Sequence, residues 1–183
     1  MSKVDFNKEI IDEIKNFISA NNNKKLKETL KDIHYADIAE LIDNLNIDEA
    51  TYLIKLLKSD TTADALAEID DEKREKILKN LSAKEIAEEL TELDTDDAVD
   101  IISELPEERK ERVISQIDDD QHIEDIRELL TYNENTAGGL MAKELVKVNE
   151  NLGVLKCLNE MRSPAENVTR VHPIYVVDGK NKS

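Results

Sequence analysis

Leucine and isoleucine recur through residues 30–129 on a fixed twelve-residue frame. The frame positions are Leu30/Ile33, Ile42/Leu45, Ile54/Leu57, Leu66/Ile69, Leu78/Leu81, Leu90/Leu93, Ile102/Leu105, Ile114/Ile117 and Ile126/Leu129. A fixed period with a fixed apolar pair marks a repeat architecture. The spacing of three within each pair sets both side chains on one helical face. Twelve residues hold a helix of about nine or ten residues and a short turn. Strands do not fit, because the segments neither alternate nor favour β-branched and aromatic residues. N-cap residue types follow several pairs, at Asn46, Asp70, Ser82, Asp94 and Asp118. Such side chains accept hydrogen bonds from the free N–H groups of a first turn. Pro106 opens its unit where a missing N–H costs little.

Helices this short are marginal alone and must bury their Leu/Ile edges against neighbours. Two units make an αα-hairpin of 24 residues. Stacked hairpins make a superhelical solenoid of short antiparallel helices, of either hand. After Leu130 the frame breaks at TYNENTAGGLM, residues 131–141, which holds two of the four glycines. That composition predicts a boundary near residues 133–139. Leu145-Val146-Lys147-Val148 then reads as a short strand. Asn149 or Asn151 can cap a helix carrying Leu152, Leu155, Leu158 and Met161, which Pro164 ends. Pro173-Ile174-Tyr175-Val176-Val177 reads as a buried strand, and Asp178-Gly179 as a hairpin turn. No return strand follows, so the second unit reads as cut short and the chain as part of a longer protein. The expected fold is mainly α: a superhelical solenoid, then an incomplete α/β half-domain. The expected division is residues 1–132, a junction at 133–143, and residues 144–183.

Charge adds a second constraint. The formal net charge is −17 across 183 residues, and charged residues make up 37%. Residues 36–131 carry thirty acids against eleven bases, so the array holds the whole excess. Residues 85–108 carry eleven acids and no base. Such a surface repels nucleic acid and anionic lipid, which need Lys or Arg to neutralise phosphates. It attracts cations or a basic partner, although acidic helices also serve solubility alone. No apolar run is long enough to span a membrane, and the N-terminus has no apolar signal region. Cys157 is the single cysteine, so no internal disulfide forms, and it reads as a small packing residue. The simplest compartment is the cytoplasm.

The acidic array, with its segment Asp94-Thr95-Asp96-Asp97-Ala98-Val99-Asp100, is one part of a resemblance. The junction Thr136-Ala137-Gly138-Gly139-Leu140-Met141 and the segment Ile174-Tyr175-Val176-Val177-Asp178-Gly179 are the others. Together they resemble the cytosolic N-terminal region of the MgtE-type magnesium transporters, followed by the opening half of a CBS domain. The resemblance covers most of the chain. It implies a cytosolic region that senses intracellular Mg²⁺ and closes the transporter's pore when Mg²⁺ is plentiful. It implies ions held among acids where the helical domain, the CBS pair and a connecting helix approach each other. Asp96 and Asp100 resemble the family's acidic pair, and Asp64 falls where the family carries another acid. In the family the remaining CBS domains, the connecting helix and a transmembrane pore follow, and the whole protein is a homodimer at the membrane. This stretch corresponds to a soluble portion on the cytoplasmic face.

The residues themselves allow that chemistry. Asp96 and Asp100 stand at i and i+4 on one predicted helix, on the same face. Ala98, Ile101, Ile102 and Leu105 form its apolar face. Two like charges so placed cost a few tenths of a kcal/mol, which a cation relieves. Mg²⁺ takes hard oxygen ligands, keeps several waters and often uses one or two carboxylates. A pair on one helix therefore binds it weakly and through water, and tight binding needs acids from a facing domain. The bland alternative is that Asp96 and Asp97 favour the macrodipole of a first turn.

Other chemistry is poorly represented. His34, His122 and His172 are scattered, without zinc spacing, and the first two read as surface or capping residues. Asp118-Asp119-Asp120 lacks the spacing of an EF-hand and reads as a capping turn. Gly138-Gly139 is not a phosphate loop, since no Lys-Ser/Thr follows. CBS domains often bind adenine nucleotides, but half of one cannot form the cleft. No nucleophile–base arrangement argues for an enzyme. The alternative function is a helical-repeat protein-interaction scaffold without metal sensing, because superhelical arrays commonly present a binding surface.

Overall fold

The repeat frame folds into short helices. The computed structural model describes residues 6, 8–57, 60–144, 146–159 and 174–178. The helices are α1 (Lys8–Ser19), α2 (Asn23–Leu30), α3 (Tyr35–Asp43), α4 (Ile47–Leu57) and α5 (Asp60–Glu68). They continue as α6 (Asp71–Lys79), α7 (Ala83–Leu90), α8 (Thr95–Ser103), α9 (Glu107–Ile114) and α10 (Asp120–Leu129). Each helix from α2 to α10 carries the first member of one Leu/Ile pair. Sixteen of the eighteen frame positions are buried, and Ile33 and Leu57 are half-buried. Helices two apart in sequence pack together: α3 on α5, α5 on α7, α7 on α9, α2 on α4 and α4 on α6. That is the packing of hairpins repeating every two units. The core extends to positions one or four before most anchors, among them Ile38, Leu41, Ala50, Leu53, Ile77, Ile86, Ile101 and Val113.

The predicted caps at Asn46, Asp70 and Ser82 hold, and the one before α10 shifts by a residue. Asp70 accepts from the N–H groups of Glu72 and Lys73, at 3.0 and 3.4 Å. Asn46 accepts from Glu49 N at 2.9 Å, and Glu49 accepts in return from Asn46 N at 2.9 Å. Ser82 and Glu85 close the same reciprocal box. His34 caps α3 by accepting from Ala36 N at 3.3 Å through Nδ1. At α10 the cap is Asp119 rather than Asp118. Asp119 Oδ1 accepts from Gln121 N and His122 N, at 2.9 and 3.0 Å. The turn before α10 runs through residues 115–119, and the third aspartate of the run becomes the first helical residue.

The box at α7 has a measurable pH signature. Glu85 is held at a pKa of about 2, down from 4.5. The Ser82 backbone N–H is the main cause; partial burial opposes it. The Ser82 hydroxyl and the Lys55 ammonium, 3.1 Å from Oε1, add to the lowering. A carboxyl with a depressed folded-state pKa stabilises the fold above its unfolded value. That contribution is present above pH 4.5 and is lost as pH falls towards 2. Glu85→Gln is therefore expected to be less stable at neutral pH, with the difference shrinking between those two values. Urea midpoints of both proteins across that range test this. A difference independent of pH would show that the charge of Glu85 plays no part.

Contacts divide the chain into two units. One comprises Met1–Leu93 with Asp100–Ile123, the other Asp94–Val99 with Glu124–Ser183. The division falls inside α8 and inside α10. In the second unit, residues 134–140 form successive turns. A Cβ at Gly139 would collide with the backbone carbonyl of Asn133, and one at Gly138 would meet the Tyr132 ring at 2.7 Å. Strand β1 (Val146–Asn149) pairs in parallel with β2 (Ile174–Val177), Val146 opposite Ile174.

Three expectations need correction there. Neither Asn149 nor Asn151 caps the following helix. Asn149 Oδ1 instead accepts from Asn151 N at 3.0 Å, and Gly153 O accepts from Lys156 N and Cys157 N. The helical segment 154–159 therefore starts after Gly153. Its apolar stripe faces outward: Leu155 is 79% and Leu158 47% exposed. Met161, Pro164 and Gly179 lie outside the described residues. Strand β2 forms as predicted but is buried only at Val177; Ile174, Tyr175 and Val176 are exposed. The sheet has two strands, and among the described residues no layer covers that part of β2.

Candidate functional site

Several basic and imidazole groups of the array turn to backbone carbonyls. Lys73, at the start of α6, donates to the carbonyls of Asp43 and Leu45, both at 2.8 Å, at the end of α3. Burial lowers the pKa of Lys73 and Asp43 opposes that shift. Arg109, on α9, donates through Nη2 to Leu78 O at 2.7 Å and to Leu81 O, at the end of α6. His122 Nε2 lies 3.1 Å from Leu90 O, at the end of α7. Each N-terminal group thus meets C-terminal carbonyls of the helix three before it. Cationic groups at a helix C-terminus are favourable to its dipole. Arg74 is 6% exposed and ends on Glu104, Asp71 and the last carbonyls of α5. Lys73, Arg109 and His122 thus serve the backbone, whereas Arg74 serves both the backbone and the acids Glu104 and Asp71.

The α8 stretch carries four acids in residues 94–100. Ala98, Val99, Ile101, Ile102 and Leu105 are buried, as its apolar pattern predicts. Asp96 is half-buried, and Asp97 and Asp100 are exposed. Asp97 stands at the frame position where Glu49 and Glu85 close capping boxes. Asp64 is half-buried on α5, flanked by the fully buried Ala63 and Ala65. It shares with Asp100 the position two residues before the anchor, but the two lie on different helices. Among the described residues, no group of three His, Cys, Asp or Glu side chains comes together to hold a metal ion.

Two features were not anticipated from the sequence. A cavity of about 360 Å³ is lined by Lys84, Glu88, Glu89, Thr91, Glu92, Gln116 and Asp118. Glu89 is only 4% exposed there. The second feature is Glu144. Its Oε1 accepts from Thr95 N at 3.1 Å and its Oε2 from Thr95 Oγ1 at 2.9 Å, so it caps the first turn of α8. A separation of 49 residues leaves no local signal for such a cap. The neighbouring Lys143 ammonium is 2.7 Å from Glu128 and 3.7 Å from Asp125. The Glu128 carboxylate is the main reason its pKa is raised. Cys157 is half-buried, and its thiol donates to Leu152 O at 3.6 Å. No helix among the described residues is long and apolar enough to cross a membrane.

Comparison with known proteins fixes the family. No curated protein matches the chain. Among solved structures, the soluble part of a magnesium transporter is similar over 93% of this chain and 67% of its own. Its TM-score is 0.81 at 23% identity, a likeness of fold. The cytosolic domain of the Mg²⁺ channel MgtE, in complex with ATP, is similar over 93% of this chain and 69% of its own. There the TM-score is again 0.81, at 28% identity. The mainly helical array followed by a small two-stranded sheet is the fold of that cytosolic domain. Residues 33–135 match the family described as the MgtE intracellular N domain. That match spans α3 to α10, more than half of the chain, and the chain belongs to the MgtE intracellular N-domain family.

Proposed function

We propose that this chain is the Mg²⁺-sensing regulatory region of a magnesium transporter, and that it favours pore closure when intracellular Mg²⁺ is high. The observation that carries this reading is the run of eleven acids without a base at residues 85–108, on a family-matched helical array. Carboxylate oxygens are the donor type Mg²⁺ prefers. Asp96 and Asp100 on α8 would hold the ion weakly and through water. Asp64, on α5, belongs to a second acidic wall. Residues 1–132 form the sensing array, 133–143 a junction, and 144–183 the start of a CBS domain. The other ligands and the partner surfaces come from the remaining CBS pair, the connecting helix and the membrane domain of a homodimer. An ion shifts such an equilibrium only through its different affinity for the two arrangements.

In the complete transporter, Asp96→Asn/Asp100→Asn is expected to raise the Mg²⁺ concentration for half-closure about tenfold, equivalent to about 1.4 kcal/mol. Patch-clamp or flux titration measures it. Without Mg²⁺ the same double variant is expected to be slightly more stable, because a repelling i,i+4 pair is gone. An unchanged closure curve overturns the assignment of these two residues.

A further inference from the structure

Thr95 is fully buried, whereas Tyr35, Ile47, Asp71, Ala83, Glu107 and Asp119, at the same frame position, are half-buried or exposed. What covers it is the segment leading into β1. Glu144 accepts from both the N–H and the hydroxyl of Thr95, at 3.1 and 2.9 Å. Lys143 N in turn donates to the same hydroxyl, at 3.1 Å. The hydroxyl is thus donor and acceptor at once, which valine, of the same shape, cannot be. A carboxylate at a helix N-terminus is also favoured by the helix dipole and by its ionised acceptor.

We propose that Thr95, Lys143 and Glu144 form a latch of positioning residues that couples the acidic first turn of α8 to strand β1. Asp96 follows Thr95 directly, and Val146, 2% exposed, opens β1 two residues after Glu144. Two residues of chain span at most about 7 Å, so little slack separates latch and strand. A second anchor, from the Lys143 ammonium to Glu128 and Asp125, holds the segment on α10. Displacing β1 therefore moves the α8 turn or opens the latch. The coupling stands whether or not the α8 carboxylates take a cation.

Amide hydrogen exchange on the 183-residue chain without added Mg²⁺ tests it. The readouts are Ala98 and Val99 in α8, and Glu150, whose N–H is bonded to Val177 O at 2.9 Å beside β1. Amides of α4 serve as the control. Glu144→Ala and Thr95→Val are each expected to speed exchange about tenfold at both α8 and Glu150, since buried polar groups lose their partners. Thr95→Ser, which keeps the hydroxyl, is expected to retain the parent rates. The double variant Glu144→Ala/Thr95→Val should add little to either single one. Faster exchange confined to α8 reduces Glu144 to a local cap and overturns the coupling. Unchanged exchange overturns it too, as does an equal rise in α4, which marks general destabilisation.

Discussion

Arg74→Met is expected to lower the unfolding free energy by about 3 kcal/mol, at the lower end of the cost of orphaning one member of a buried ion pair. Arg74 occupies the frame position four before anchor Leu78, where Ile38, Ala50, Ile86 and Ala98 are core residues. Its Nε donates to both oxygens of Glu104, at 3.0 and 3.1 Å, and its Nη2 to Asp71 at 2.7 Å. Its Nη1 donates to Ala67 O and Ile69 O, at 2.9 and 3.1 Å, closing the C-terminus of α5. Burial alone would lower its pKa, but Glu104 and Asp71 outweigh that and hold it above the usual value. The side chain thus joins α6, the end of α5 and the turn after α8. Methionine fills much of the volume but leaves Glu104 charged and the carbonyls open. Urea unfolding midpoints measure the loss. Glu104→Gln in the Arg74→Met background should recover part of it, because the orphaned charge goes while the carbonyls stay open. Arg74→Lys should recover little, since an ammonium cannot serve both groups as a planar fork does. A loss under 1 kcal/mol for Arg74→Met would show that water replaces these bonds freely.

The helices were legible because the anchors are chemically uniform. Every unit from Leu30 to Leu129 writes the same apolar pair, and a twelve-residue period admits few folds. Arg74 was not legible as a core residue, although the frame held the clue. Thr62 and Arg74, each four before an anchor, are polar residues in core positions. Glu89, one before Leu90, breaks the pattern in the same way. The sheet region was harder because burial there depends on distant chain. Residues Ile174, Tyr175 and Val176 are apolar enough for a core strand, yet pattern alone does not supply the layer that covers them. The helical stripe of Leu155 and Leu158 fails for the same reason.

The acidic run was visible in the sequence, but the engagement of nearby bases by the backbone was not. Lys73 and Arg109 hold one frame position, 36 residues apart, and both reach back to the end of the helix three before. Sequence counting treats them as available counter-charges. The fold removes them from that role by binding them to backbone carbonyls. Thr95 and Glu144 show the opposite case. Neither is singled out by its local sequence, because the bond that buries Thr95 spans 49 residues.

Leu90→Ala is expected to cost about 3–4 kcal/mol, within the range for emptying a well-packed leucine site. Ile33→Ala, at a frame position of the same pattern, is expected to cost about 1 kcal/mol, since a half-buried side chain loses less on truncation. Leu90 is fully buried at the end of α7, which packs between α5 and α9. Neighbours on both sides resist collapse into the space the lost isopropyl group leaves. Ile33 lies in the turn after α2, where solvent already reaches it. In a repeat array stability sums over units and the interfaces between them, so damage in the middle weakens two interfaces at once. Urea unfolding of both variants separates the cases: the Leu90 midpoint should fall far below that of Ile33, with the slope unchanged if unfolding stays cooperative. Equal losses would mean that the anchor pattern sets the energetics by itself. A Leu90 variant that unfolds in two steps would mean that the array divides at α7, and that its helices hold together only through that leucine's contacts.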